Sequence, residues 1–278
     1  MKRLLSIELQ KIWLNKASRV LTLTYFILLS FIALIASIKF DIGNIHFQVA
    51  EMGIFNFPYI WHFNTYAAAI LKLFLAIVIV SMMANEYSYG TLKQNLIDGL
   101  SKKEFILSKF VTILLFAVCS TVFVFIMTLI LGYSFSSYTE IGIVFTDLEY
   151  ILAFFVKLVG FFSFCLFLGI LVKRSAFALG FLLVWNIIEA IANGVLSFQI
   201  FPEGKTAAYI TQFFPLNAMS NLIVEPISRL SVIKSIGTQI GVENLKDYSV
   251  PFSAIVIVLC WTVVFLFLSY RILKNRDL

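Results

Sequence analysis

The chain has 278 residues, 61% of them hydrophobic and only 13% charged, with a formal net charge of +6 and a mean hydropathy of +0.97. A soluble domain carries about 25% charged residues. Too few polar groups remain here to clothe a water-facing surface, which excludes a soluble globular protein and makes this an integral membrane protein.

In chain order, residues 1–18 set Leu4, Leu5, Ile7, Ile12, Trp13 and Leu14 among Lys2, Arg3, Lys11 and Lys16, with Arg19 following. That pattern predicts an amphipathic helix in the headgroup plane, its bases near anionic lipid. Six runs reach the roughly 20 apolar residues that cross about 30 Å of hydrocarbon: 20–38, 65–84, 110–132, 151–172, 176–199 and 251–270. The first follows a basic amphipathic stretch and precedes no small-residue cleavage site, so it reads as a retained span. Residues 39–63 place Phe55, Phe57, Tyr59 and Trp61 beside Pro58 as an interfacial aromatic belt. Residues 200–250 form the largest loop, and 207–224 predicts a re-entrant or surface helix pair broken at Pro215. Such an insertion is stable only against protein or at the interface.

The expected fold is therefore all-α and integral to the membrane, a single transmembrane domain over 1–278. It has six transmembrane helices, an N-terminal interface helix, a hairpin over 85–109 between spans two and three, and an outer helical insertion before span six. Six spans put both termini on one side. Lys and Arg on that side number fourteen (2, 3, 11, 16, 19, 93, 102, 103, 109, 173, 174, 271, 274 and 276), against five on the other (39, 205, 229, 234 and 246). The positive-inside rule then places both termini in the cytoplasm of a multi-pass protein in the cytoplasmic (inner) membrane.

The 85–109 segment is the long interruption on the basic side. Leu92, Leu96 and Leu100 recur every four residues with Ile97 adjacent, giving one apolar helical face, and Lys93, Gln94, Asn95 and Asp98 fill the rest. Gly99 is the residue type that ends a helix in the left-handed conformation. Ser101-Lys102-Lys103-Glu104 matches the S-x-x-E capping box, followed at once by Phe105, Ile106 and Leu107. A helix, a tight turn and a second helix running through Lys109 into the third span follow. A snorkelling connector, its leucines on the membrane surface, would not require those stop and start signals. A hairpin with a defined tip can transmit force from a soluble partner.

This segment resembles the cytoplasmic loop of type-2 ABC exporter permeases, through Asn85-Glu86, Gly90-Thr91-Leu92, Gly99, Ser101 and Lys109. Pro58, Trp61 and Asn64, and later Phe214-Pro215-Leu216-Asn217, are also similar to that family, and the resemblance extends over the whole chain. It implies a coupling helix docking into a separate ATPase, with Glu86, Gly90, Thr91, Leu92, Lys93, Leu96, Asp98, Gly99, Ser101, Lys102 and Glu104 at or near the contact. Lys173 and Arg174, in a short turn between spans four and five, would add a smaller second contact. It further implies two ATPase subunits carrying ATP and Mg, and a second permease, identical or related. No directly bound cofactor and no nucleic-acid partner are expected.

Chemistry within the chain is sparse. Gly204-Lys205-Thr206 resembles the end of a phosphate-binding loop, but Gln199 stands where the first glycine is needed. His46 and His62, with Glu51 and Met52 between them, lack the fixed spacing of a metal site. Cys119, Cys165 and Cys260 all fall in apolar runs and read as small buried hydrophobes. Three charges lie within spans: Lys72, Lys157 and Glu189. Counted from the outer ends of their spans, all three fall on the order of 9–15 Å deep. Two readings stay open: Glu189 pairs with a lysine inside the bundle, or both lysines snorkel outward. The expected function is the permease subunit of an ABC exporter, itself not catalytic. The alternatives are an integral membrane enzyme using Glu189 with Asn186 or Asn193, and an ATP-independent transporter or channel.

Overall fold

A computed structural model describes residues 2–37, 39–42, 45–48, 53–202, 205–229 and 247–276. Residues 230–246 of the largest loop, Glu51, Met52 and Gly204 lie outside the described residues.

The N-terminal stretch is not one helix over 1–18. Helix α1 (Lys2–Leu14) stops, and α2 (Lys16–Ser37) starts two residues later. Asn15 makes the break: its side-chain Oδ1 accepts from the Ser18 backbone N–H at 3.1 Å, an N-cap that starts a new helix. A two-stranded antiparallel hairpin follows, Lys39–Ile42 against Ile45–Gln48 with Lys39 opposite Gln48.

Next come α3 (Tyr59–Ser88), α4 (Thr91–Ile97), α5 (Lys102–Phe135), α6 (Ile141–Val144), α7 (Glu149–Val172) and α8 (Ser175–Val195). Helix α8 ends in a π turn over Leu196–Ile200. After it lie α9 (Lys205–Thr211), α10 (Pro215–Asn221), a 3-10 turn at Ile227–Arg229, and α11 (Phe252–Lys274). Among the described residues, five helices are long and apolar enough to cross a membrane: α3, α5, α7 with α6 before it, α8 with its π turn, and α11. The chain is thus a multi-pass, predominantly helical membrane protein. Helix α5, at 34 residues, is about 51 Å long at 1.5 Å per residue, well beyond the hydrocarbon thickness, so one end projects from it.

Helix α7 is the axis of the bundle. Its apolar stretch is 78% buried, against 11% for that of α8, so α7 is the shared core and α8 lies at the periphery. It packs chiefly between α3 and α11, and glycine permits the closeness. A Cβ on Gly160 would stand 2.6 Å from Val258 Cγ1, and one on Gly169 would stand 2.9 Å from Met83 Cβ. In lipid, where apolar burial alone gives helices little reason to associate, such backbone approach increases van der Waals contact. The expectation for cysteine holds only at Cys165, which is buried; Cys119 and Cys260 face outward from the bundle, and all three are free thiols.

Candidate functional site at the hairpin end

The hairpin forms as two helices with a turn. Gly90 (φ +66°) precedes α4 in the left-handed conformation, and Gly99 (φ +97°) follows it. Both backbones suit glycine because a side chain there would be strained. Ser101 then caps α5: its Oγ accepts from the Glu104 N–H at 3.2 Å, and a Glu104 carboxylate oxygen accepts from the Ser101 N–H at 3.0 Å. The capping box legible in the sequence is present with both reciprocal bonds.

The apolar face of α4 turns toward the bundle. Leu92 is buried, and Leu96 and Leu100 are half-buried against the core. What α4 and its turn present outward is Lys93, Gln94, Ile97, Asp98 and Gly99, with Ile97 70% exposed. Asp98 accepts from the Gln94 side-chain amide at 3.0 Å one helical turn away. Leu92 therefore supports the hairpin from beneath, and Ile97 is the large apolar group at its tip.

Beneath the hairpin lies an ionic cluster that sequence reasoning missed. Lys109 is wholly buried, and its Nζ stands 2.5 Å from both Glu8 Oε2 and Glu86 Oε1. Lys11 donates to the same Glu86 oxygen at 2.8 Å and lies 3.6 Å from Glu8. Thr91 Oγ1 donates to the other Glu86 oxygen at 2.5 Å. Two cations and two carboxylates thus balance in charge while joining α1, α3, α4 and α5. Burial presses the Lys11 pKa down, but its hydrogen bond to Glu86 and the charges of Glu8 and Glu86 outweigh that, and the net shift is upward. Glu8 offered one sequence clue, as the sole acid in an otherwise basic N-terminal helix.

The C-terminal helix ties into the same end. Lys102 Nζ donates to the carbonyls of Lys274 and Arg276 at 3.1 and 3.0 Å, past the end of α11. Arg276 donates to the carbonyls of Ile170 and Leu171 at the end of α7, and to the Tyr87 hydroxyl. Cations at helix C-termini complement the unsatisfied carbonyls there. Lys173 ends α7 with φ +64° and sets its ammonium 5.7 Å from the Tyr87 ring centroid, while Arg174 is exposed. Lys173 and the base of the hairpin therefore meet through Tyr87.

The three intramembrane charges are arranged as neither open reading expected. Glu189 pairs with no lysine among the described residues. It accepts from the Trp185 indole at 2.6 Å and from the backbone N–H groups of Leu216 and Asn217 at 3.1 and 2.9 Å. Proline at the first position of α10 has no N–H, so these two amides are the first donors its N-terminus offers. At the other end of α10, Lys157 donates to the Ser220 carbonyl at 3.3 Å. This seven-residue, partly buried helix thus has an anion at its positive end and a cation at its negative end. Lys157 is 4% exposed, so it does not snorkel. Lys72 lies thirteen residues from the start of α3, about 20 Å along it, because α3 begins six residues before the expected boundary. Its ammonium sits 4.6 Å from the Phe161 ring centroid.

At the opposite end, His62 stacks on Tyr150 at 4.3 Å. One ring nitrogen faces the Val224 carbonyl at 2.7 Å, the other the Arg229 guanidinium at 3.1 Å. The carbonyl requires a donor and the guanidinium an acceptor, which fits a neutral imidazole with both nitrogens engaged. No group of three or more potential metal ligands occurs among the described residues, and the His46 side chain lies outside them.

Residues 27–278 match the family described as protein of unknown function (DUF2705); the chain belongs to that family. A 79-residue stretch is 33% identical to the uncharacterized protein YhcI of Bacillus subtilis (strain 168), covering 27% of this chain and 25% of that protein. The matched stretch spans about a quarter of that relative's length.

Proposed function

We propose that this DUF2705 member is the permease subunit of an ABC exporter, moving a substrate across the cytoplasmic membrane with energy from a separate ATPase chain. The observation that carries the reading is the hairpin: a capped helix pair with Ile97 at its tip, its base fixed by the buried Lys109–Glu86–Glu8 cluster. Force applied at the tip passes to α1, α3 and α5 together, because their charged groups share one buried contact. Helix α5 continues without interruption from the cap at Ser101 to Phe135, so displacement of the hairpin becomes tilt of a span.

In this reading the 22-residue α2, packed against α3, supplies span one and brings the total to six, and both termini lie in the cytoplasm with the hairpin. Two permeases, identical or related, associate with two ATPase chains that bind ATP and Mg. Lys173, beside Tyr87 at the same end, and the exposed Arg174 that follows it form the smaller second contact. The enzyme alternative loses ground because both oxygens of Glu189 are occupied by structural donors, which leaves it poorly placed as a base.

The test is co-purification with a candidate ATPase encoded beside this chain. Ile97→Asp changes an exposed side chain, so thermal stability should stay within about 1 °C while ATPase capture and stimulation fall at least tenfold. Leu96→Asp tests the contact less cleanly, because Leu96 also packs inward. Undiminished capture and stimulation by Ile97→Asp would sink the coupling assignment.

A further inference from the structure

A cavity of about 390 Å3 opens among α3, α7, α8 and α10, and its polar lining comes from Tyr66, Lys72, Lys157, Asn186 and Ser220. Such a volume is within the range of small-ligand sites. Lys157 uses one of its three donors on the Ser220 carbonyl. Lys72 makes no hydrogen bond or ion pair among the described residues, and its ammonium rests on the Phe161 ring. Among the described residues no carboxylate lines the cavity, and Glu189 is committed to Trp185 and the N-terminus of α10. Two lysine side chains therefore share one cavity without a counter-anion among the described residues, and holding both charged there is costly away from water.

An anion seated between them removes that cost. We propose that this cavity binds a phosphate-type oxyanion, held by Lys72 and Lys157 with the Asn186 amide as a further donor. The remaining lining is apolar and includes Ile70, Leu73 and Leu183, which are exposed on the outside of α3 and α8. An acyl chain attached to the headgroup leaves the cavity along that rim. The binding site stands independently of the ATPase reading. Only the further step, that cargo is recognised by this anion, rests on that reading.

The test uses the purified full-length chain in neutral detergent, titrated with dioctanoyl phosphatidylglycerol, the phosphate-free lipid dioctanoylglycerol, and inorganic phosphate. Phosphatidylglycerol should bind saturably, at least tenfold tighter than dioctanoylglycerol. Lys72→Gln should weaken it at least tenfold with an unchanged melting temperature, since Lys72 makes no structural hydrogen bond. Asn186→Leu, on an exposed position, should weaken it several-fold. Competition by millimolar phosphate supports the site with a soluble phosphate as a source. Binding of the lipid without such competition supports it with a membrane lipid as the source. Equal affinity for the two lipids, absence of saturable binding by any probe, or wild-type affinity in folded Lys72→Gln each overturns the proposal. Ile97→Asp should bind phosphatidylglycerol normally, which separates failure of this site from failure of the coupling reading.

Discussion

Removing Lys109 tests the cluster beneath the hairpin most directly. Lys109→Met keeps the length and the apolar contacts of the side chain but deletes a wholly buried ammonium 2.5 Å from both Glu8 and Glu86. Two buried carboxylates then face each other with the partly exposed Lys11 as their remaining cation. Breaking a buried ion pair from one side costs about 3–5 kcal/mol, because a charge is left uncompensated. At about 2–4 °C per kcal/mol for a chain of comparable size, the melting temperature should fall by on the order of 10 °C. The second arm adds Glu8→Gln to Lys109→Met, which removes one of the stranded charges. It should recover about 1–3 kcal/mol, the coupling expected within one network. Thermal unfolding of wild type, both single variants and the double variant in the same detergent measures all four corners. A Lys109→Met protein melting within 1 °C of wild type, or a double variant less stable than Lys109→Met alone, refutes the reasoning.

Glu189→Gln puts an amide N–H2 against a donor at the start of α10. The unmet bond should cost about 1–3 kcal/mol, read as a lower melting temperature and a shift in Trp185 emission; wild-type values for both would remove the cap from the account. Gly132→Ala would place a Cβ 2.1 Å from the buried Phe57 ring. Overpacking of that kind costs about 1–3 kcal/mol, and a melting temperature equal to wild type would show that the ring yields freely. Lys11 gives a pH dependence with a definite sign. Its folded-state pKa is raised from 10.5, so its contribution is fully present below 10.5 and is lost as pH rises through the higher folded value. The difference in melting temperature between wild type and Lys11→Met should therefore hold steady from pH 7 to 10 and shrink above 10.5; shrinkage already at pH 8–9 would contradict it.

Much of the fold was legible because its signals are local. Apolar run length is set by the thickness of lipid, so spans two to six appear at nearly their observed places. The Ser101–Glu104 box and Gly99 act over three or four residues, and both lie where the sequence put them. The break at Pro215 follows from a missing N–H and is likewise local. The helix over 1–18 failed on a local signal as well: Asn15 caps α2, but the apolar pattern on both sides of it masked the stop. Lys72 was placed too shallow because polar residues such as His62 and Asn64 sit inside α3, buried against protein, where hydropathy alone reads them as outside.

The sequence by itself determined that this chain lives in lipid, how long its helices run, and where its hairpin turns, since these depend on neighbours a few residues apart. Which charges meet was decided only by tertiary structure. Glu8 and Lys109 are 101 residues apart, and Glu189 and Asn217 are 28 apart. Each such meeting depends on how α1, α5, α8 and α10 pack. A carboxylate in an apolar run announces only that it needs a partner; in the folded chain Glu189 found two backbone amides and an indole, and Lys72 and Lys157 were left facing one cavity.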